Sequence, residues 1–157
     1  MLEDVPAGDE TAARRRAMAL LARASLAELS GPLYERFADH GAKDLKPIET
    51  GLVMLRGRAG GDGAPFNVGE ATVTRAVVEL PGGERGYAHL LGRNAERARL
   101  AAIFDALWQT PHLRREVEAC VLEPVAVRLE AERARSGAEV AATRVDFFTL
   151  RRGEDDP

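Results

Sequence analysis

EATVTRAVVELPGGERGYAHLL, Glu70–Leu91, is the stretch whose reading decides the fold. Its first half, Glu70–Leu80, is rich in Thr and Val, side chains that suit a pleated, half-buried surface, and it reads as a strand. Pro81-Gly82-Gly83-Glu84 then supplies turn chemistry, so Arg85–Leu91 returns antiparallel as a hairpin. Upstream, Leu52–Arg58 reads as a further strand. Leu52, Met54, Arg56 and Arg58 lie on one face, and Val53, Leu55 and Gly57 on the other. Between these strands runs Ala59–Gly69, with four glycines and Pro65 in 11 residues. A connection of that length needs a reason.

Helical patterns flank the strands. From Glu10 to about His40 the chain is rich in Ala, Leu and Arg. Thr11 is placed to cap a helix on which Met18, Leu21, Leu26 and Leu29 share a face. Gly31 ends that helix, and Pro32 starts a shorter one that closes at Gly41, giving an N-terminal helical hairpin. Downstream, Asn94 is an N-cap for a helix with an apolar stripe of Leu100, Ile103, Phe104, Leu107 and Trp108. Thr110-Pro111 opens another helix, which Pro124 kinks or restarts before Gly137 closes it. Ala141–Leu150, with Val145, Phe147 and Phe148, reads as a final strand returning to the sheet. The expected fold is therefore α+β. It is an antiparallel sheet with a glycine-rich inter-strand loop, an N-terminal helical hairpin and C-terminal helices packed on the sheet. As one domain over 1–157, it divides into helices at 1–45, a strand-rich segment at 46–91, helices at 92–137, a last strand at 138–152 and an acidic tail at 153–157.

Composition narrows the classes of function. The 157 residues are 45% hydrophobic and 30% charged, the balance of an ordinary globular chain with material for a core. Aromatics are only 5%, so Ala, Val and Leu must fill that core. With 22 basic and 25 acidic residues the net charge is −3, which argues against binding nucleic acid through overall positive charge. Of the basic residues 20 are Arg, whose planar fork suits carboxylates and phosphates. A bias toward Arg and Ala across a whole genome accounts for the same figure. Cys120 is the single cysteine, which excludes an internal disulfide and any cysteine-rich zinc site. His40, His89 and His112 are too widely spaced for a compact metal motif. No apolar run reaches the roughly 18–20 residues needed to span a bilayer, and the acidic start is unlike a secretory signal. The chain reads as cytoplasmic, without a membrane or nucleic-acid partner.

The segment Arg56–Arg75, RGRAGGDGAPFNVGEATVTR, holds the sharpest candidates. Glycine-rich backbone between strands, here Gly60, Gly61 and Gly63, can form a nest of N–H groups that binds anions. Arg56, Arg58 and Arg75 can add bidentate, charge-assisted contacts. The segment is neither a phosphate-binding P-loop nor a dinucleotide fingerprint, because no Gly-Lys-Ser/Thr follows and no Gly-x-Gly-x-x-Gly opens a helix. A long connection with solvated arginines fits the same residues, and so does a subunit interface through Pro65 and Phe66. His89, alternating with Tyr87, is placed for acid–base work or anion contact, or for a structural hydrogen bond. Arg93 precedes the Asn94 cap, at a helix N-terminus that favours an anion. Glu70 is expected to pair with a strand arginine such as Arg75, and Asp146 with Arg144. Cys120, among Val117, Val121 and Val125, reads as a buried small hydrophobe. No triad, metal cluster or paired carboxylate assembles from these residues, so catalytic and metal-ligating residues are expected to be none.

The string Arg56-Gly57-Arg58, Gly63-Ala64-Pro65-Phe66-Asn67, Gly69-Glu70 and Thr72-Val73-Thr74-Arg75 resembles the PhnG family of the bacterial carbon–phosphorus lyase system. The resemblance continues in Gly86–Leu107 and in Arg144–Gly153, and so covers most of residues 47–153. Where the family carries Cys after the Thr-x-Thr-Arg element and Asp after Gly-Arg, this chain has Ala76 and Asn94. The resemblance implies a subunit that assembles with PhnH-, PhnI- and PhnJ-like partners in a two-fold symmetric hetero-oligomer, with a PhnL-like protein required functionally. It implies that the complex displaces adenine from ATP with methylphosphonate, giving ribose 1-methylphosphonate 5-triphosphate. The chain itself is expected to bind no cofactor, ATP being a substrate of the complex. Arg56, Arg58, Gly60, Gly61, Gly63, Phe66, Asn67, Glu70, Thr72, Thr74, Arg75, His89 and Arg93 are then the candidates for anion binding or subunit contact. A stand-alone enzyme acting on a phosphate ester or nucleotide, and a regulatory binding module, are the alternatives that the residues leave open.

Overall fold

The computed structural model describes residues 7–38, 40–59 and 62–142. The chain divides into two compact units, residues 1–126 and 127–157. Two helices open the first unit, α1 (Ala7–Leu21) and α2 (Leu26–Arg36). Four strands follow, β1 (Lys43–Asp44), β2 (Glu49–Arg58), β3 (Pro65–Glu79) and β4 (Arg85–Leu91). Helices return as α3 (Ala95–Gln109), α4 (Pro111–Val117), a π-helical turn at Glu118–Leu122 and α5 (Glu123–Ala142). The second unit takes up α5 from Val127, where Arg128 and Glu132 form an i, i+4 ion pair. Among the described residues no helix is long and apolar enough to cross a membrane.

The sheet is antiparallel throughout, and β3 is its spine. β4 pairs with its C-terminal half, from Val73↔Leu91 to Glu79↔Arg85. β1 and β2 pair with it as well, β1 at Val78–Glu79 and β2 from Arg75 to Pro65. As expected, Pro81–Glu84 makes the β3–β4 turn. Leu80 N–H donates to Glu84 O, and Gly83 supplies a φ of 92° that other residues avoid. Alternation turns Thr74, Ala76, Val78, Ala88 and Leu90 to one face, where all five are buried. α3 lies on that face, and α1, α2 and α4 pack against α3 in turn. The middle helix is therefore apolar on nearly every side. Ala98, Ala102, Ile103, Phe104 and Ala106 are fully buried, and Phe104 meets Phe37 edge-on at 5.7 Å. Gly86 makes this close layering possible, because a Cβ there would strike the Ala102 carbonyl oxygen.

The helix boundaries correct the sequence reading at three places. The first break falls at Ala22–Ser25, not at Gly31-Pro32. Ser25 Oγ accepts from Glu28 N–H while Glu28 Oε2 accepts from Ser25 N–H, a complete capping box. With that start fixed, Leu29, Leu33 and Phe37 fall on one buried stripe, and the helix runs through Gly31 and Pro32 to Arg36. Thr11 lies inside α1 and does not begin it, and Leu26 and Leu29 belong to a different helix from Met18 and Leu21. Gly137 does not close α5, which continues to Ala142. Residues 138–142 of the expected last strand are thus helical. The remainder of that strand, with Asp146, and the tail lie outside the described residues. Pro124 does restart a helix, directly after the π-helical turn.

Candidate functional site

The largest departure from the sequence reading concerns Ala59–Gly69. Residues 65–69 are strand, and the connection shrinks to 59–64 at the tip of a long β2–β3 hairpin. Register explains the sequence that reads as loop. Leu55 pairs with Gly69 and Arg56 with Asn67, so Val68 is an extra residue bulging out of β3. A Cβ on Gly57 would lie 2.6 Å from Val68 Cγ2, so the missing side chain at Gly57 is what admits the bulge. At the tip, Arg58 Nη1 donates to Gly63 O at 3.0 Å and Gly63 N–H donates to Ala59 O. Glycine is needed there, since a Cβ would sit 2.6 Å from that same carbonyl oxygen. Gly60 and Gly61 lie outside the described residues.

Beyond Val73 this hairpin has no strand on its β4 side among the described residues, because β4 ends opposite that residue. Gly92 N–H closes the step by donating to Thr72 O. Pro65–Ala71 and the outer side of β2 thus carry open edges among the described residues, and most of the side chains on the hairpin's far half are exposed. Side chains there are apolar and exposed on both faces. Leu52 and Met54, on the face that continues the core, are 59% and 53% exposed, while Phe66 and Val68 opposite are 51% and 60% exposed. The free edge of β4, by contrast, is blunted. Arg85 O accepts from Arg14 and Gln109, Tyr87 N–H donates to Asp105, and Leu91 O accepts from Arg97. Among the described residues the long open edges belong to the β2–β3 arm, which is the arrangement of a docking element.

Strand geometry divides the candidate residues between two faces. Arg56, Asn67, Glu70 and Thr72 share the Leu52–Met54 face, with Arg56 opposite Asn67 and Glu70 opposite Met54. Arg75 points the other way. It stands in register between Glu49 on β2 and His89 on β4, and its guanidinium reaches over Gly51. Arg56 and Arg58 therefore do not converge with Arg75 on one nest. Glu70 does not pair with Arg75 either, because their odd separation along β3 puts them on opposite faces. Thr74 is fully buried and serves the fold, donating to Gly92 O at 2.7 Å and accepting from Asn94 N–H at 3.3 Å. It fixes the step into α3, where Asn94 Oδ1 caps Arg97 N–H as expected. Arg93 is exposed at that helix N-terminus. Cys120 is half-buried in the π-helical turn, less sheltered than expected, because Val117, Val121 and Val125 take the inner side. Its partial burial pushes the thiol pKa up, away from reactivity.

One cluster escaped the sequence reading altogether. Asp105 is fully buried in α3 and accepts from Arg14 Nε at 3.1 Å, Arg14 Nη2 at 2.7 Å and Tyr87 N–H at 2.9 Å. The hydrogen bond to Asp105 outweighs burial and raises the Arg14 pKa further above its ordinary value. The lone carboxylate inside AAIFDALW was the available signal, since a charge in an apolar stripe demands a partner. Nearby, Arg114 stacks at 4.2 Å over Trp108, donates to Trp108 O and pairs with Glu10.

These features define a class, a compact α+β scaffold that holds out a two-stranded apolar arm. Residues 12–153 match the family described as phosphonate metabolism protein PhnG, and the chain belongs to that family. It is also 56% identical, over 147 residues, to the alpha-D-ribose 1-methylphosphonate 5-triphosphate synthase subunit PhnG of Rhizobium meliloti (strain 1021), covering 92% of each chain.

Proposed function

We propose that this chain is a subunit of a cytoplasmic alpha-D-ribose 1-methylphosphonate 5-triphosphate synthase in phosphonate breakdown, and that it acts chiefly through assembly. The observation that carries the reading is the 56% identity to a subunit of that synthase along nearly the whole length of both chains. At that level, a shared fold and shared binding surfaces are the physical expectation. The arm supports the assembly role, because strand edges and exposed Leu, Met, Phe and Val side chains are stable in a protein when a partner covers them.

In this reading PhnH-, PhnI- and PhnJ-like subunits receive the arm within a hetero-oligomer, and a PhnL-like protein is needed for activity. The reaction breaks the bond between ribose C1′ and adenine N9 in ATP and forms a bond from C1′ to a methylphosphonate oxygen. Adenine leaves with the bonding pair and takes up a proton. The nucleosidase-type chemistry belongs to the PhnI-like partner, while this chain holds no cofactor and shapes that partner. The test is co-expression with the neighbouring subunits, tagging this chain alone, followed by size-exclusion chromatography and intact-mass analysis. A large stable complex that loses subunits when Phe66 and Val68 are both changed to Ser is the expected result. A folded 17 kDa species that ignores those partners would sink the reading, and an Arg58→Gln variant with intact assembly and methylphosphonate use would remove Arg58 from it.

A further inference from the structure

Between the first turns of α1 and the α3–α4 junction lies a cavity of about 450 Å³ that no part of the assembly reading uses. Its size falls in the range of small-molecule sites. Arg14, Arg15 and Arg114 line it, with Glu10 as the one carboxylate in the lining. In a chain of net charge −3 this is a local excess of two positive charges at the cavity wall. Asp105, behind the wall, binds Arg14 and reduces that excess by one.

The donors are arranged rather than merely gathered. Arg14 is held by two hydrogen bonds to a fully buried carboxylate, and its guanidinium lies 5.9 Å from the Tyr87 ring centroid. Arg114 is fixed on the Trp108 ring by stacking and by its bond to the Trp108 carbonyl. These contacts occupy Nε and Nη2 of each side chain, so among the described residues each Nη1 keeps its hydrogens without a protein acceptor. Arg15 has neither a hydrogen bond nor an ion pair among the described residues, and its whole fork is available. Fixed guanidinium groups lose little entropy when an oxyanion arrives.

We propose that this cavity binds a tetrahedral phosphorus oxyanion, phosphate or an alkylphosphonate, between Arg14, Arg15 and Arg114. The choice of phosphorus over carboxyl rests on the phosphonate-breakdown reading; the presence of an oxyanion site rests on the cavity alone. Glu10 competes for Arg114, and a doubly charged ligand displaces it where a single carboxylate gains little.

Isothermal titration of the full chain at low salt tests this, with inorganic phosphate, methylphosphonate and acetate as separate ligands. Phosphate and methylphosphonate are expected to bind saturably at one site, and acetate more weakly. Arg15→Gln should weaken binding by about fivefold or more, the effect of one charge-assisted contact at a partly exposed site. Glu10→Gln should tighten it, and Arg133→Gln, outside the cavity lining, should leave it unchanged. Arg15 is exposed, so its substitution spares the fold, which circular dichroism verifies. Absence of a saturable signal overturns the proposal, as does equal loss in Arg15→Gln and Arg133→Gln. Acetate binding as tightly as phosphate overturns the choice of ligand class. Co-purification reads the assembly role separately, so either idea can fail without the other.

Discussion

Removing the Arg14 side chain should be the most costly single change outside the apolar core. Asp105 is fully buried, and two of its three hydrogen bonds come from Arg14, leaving only Tyr87 N–H in an Arg14→Gln variant. Breaking a buried ion pair by deleting one partner costs about 3–5 kcal/mol, because the remaining charge stays desolvated. Arg14 is itself 31% exposed in its side chain, so water can reach part of the vacated space. That lowers the expectation to about 2–4 kcal/mol. For a domain of this size the melting temperature should fall by roughly 4–16 °C. Urea unfolding followed by circular dichroism measures the loss directly, with an unchanged m-value showing that the unfolded state is not altered. The double variant Arg14→Met with Asp105→Leu supplies the stricter test. Exchanging the whole pair for apolar side chains should recover part of the stability lost in Arg14→Gln, since no charge is then left buried and only Tyr87 N–H loses its acceptor. Two additive losses, or a single-variant loss below about 1 kcal/mol, would refute the view that the pair's value lies in not leaving Asp105 alone.

Three further outcomes follow from the same geometry. Gly86→Ala places a methyl group against the Ala102 carbonyl and should lower stability by about 1–3 kcal/mol in urea unfolding, with a neutral result contradicting the close approach of β4 to α3. Thr74→Val keeps the shape but strands Gly92 O and Asn94 N–H, costing about 1–3 kcal/mol and speeding amide exchange at Asn94 and its neighbours; unchanged exchange would remove Thr74 from that role. Burial and then the Arg99 charge lower the His40 pKa, and neutral His40 Nδ1 accepts from Ala42 N–H at 2.8 Å. The unfolded chain takes up this proton first, so the contribution is present above about pH 6.5 and declines as pH falls through the lowered folded-state value. Unfolding midpoints at about pH 7.5 and about pH 5.8 should show that decline in the parent and less of it in His40→Gln, which keeps an acceptor but does not titrate there. Equal slopes would exclude His40 as the source.

How much of this was legible beforehand depends on the range of the interaction. The β3–β4 hairpin, the Asn94 cap, the stripe on α3 and the restart at Pro124 all arise between residues a few positions apart, and sequence spacing alone recovers them. The Ser25–Glu28 capping box is equally local, but the sequence reading does not use it and places the break at Gly31-Pro32. Burial of Leu29, Leu33 and Phe37 along one face of the continuing helix outweighed it. Ala59–Gly69 read as a loop because its glycines suggest freedom. Pairing with β2 makes five of its residues strand, and the bulge at Val68 depends on a glycine across the ladder.

The sequence by itself determined the α+β class, the antiparallel β3–β4 hairpin and the PhnG family, since these reside in local patterns and in a specific string of residues. Only the tertiary structure decided which charges meet. Arg14 and Asp105 are 91 residues apart, as far from each other in the chain as any local rule is from reaching. Whether Arg56 joins Arg75, or a carboxylate finds its arginine, is settled by strand register and helix packing, which place side chains on faces according to partners distant in the sequence. Long-range packing also covers the free edge of β4 while, among the described residues, it leaves the β2–β3 arm bare, and that difference supports the assembly role.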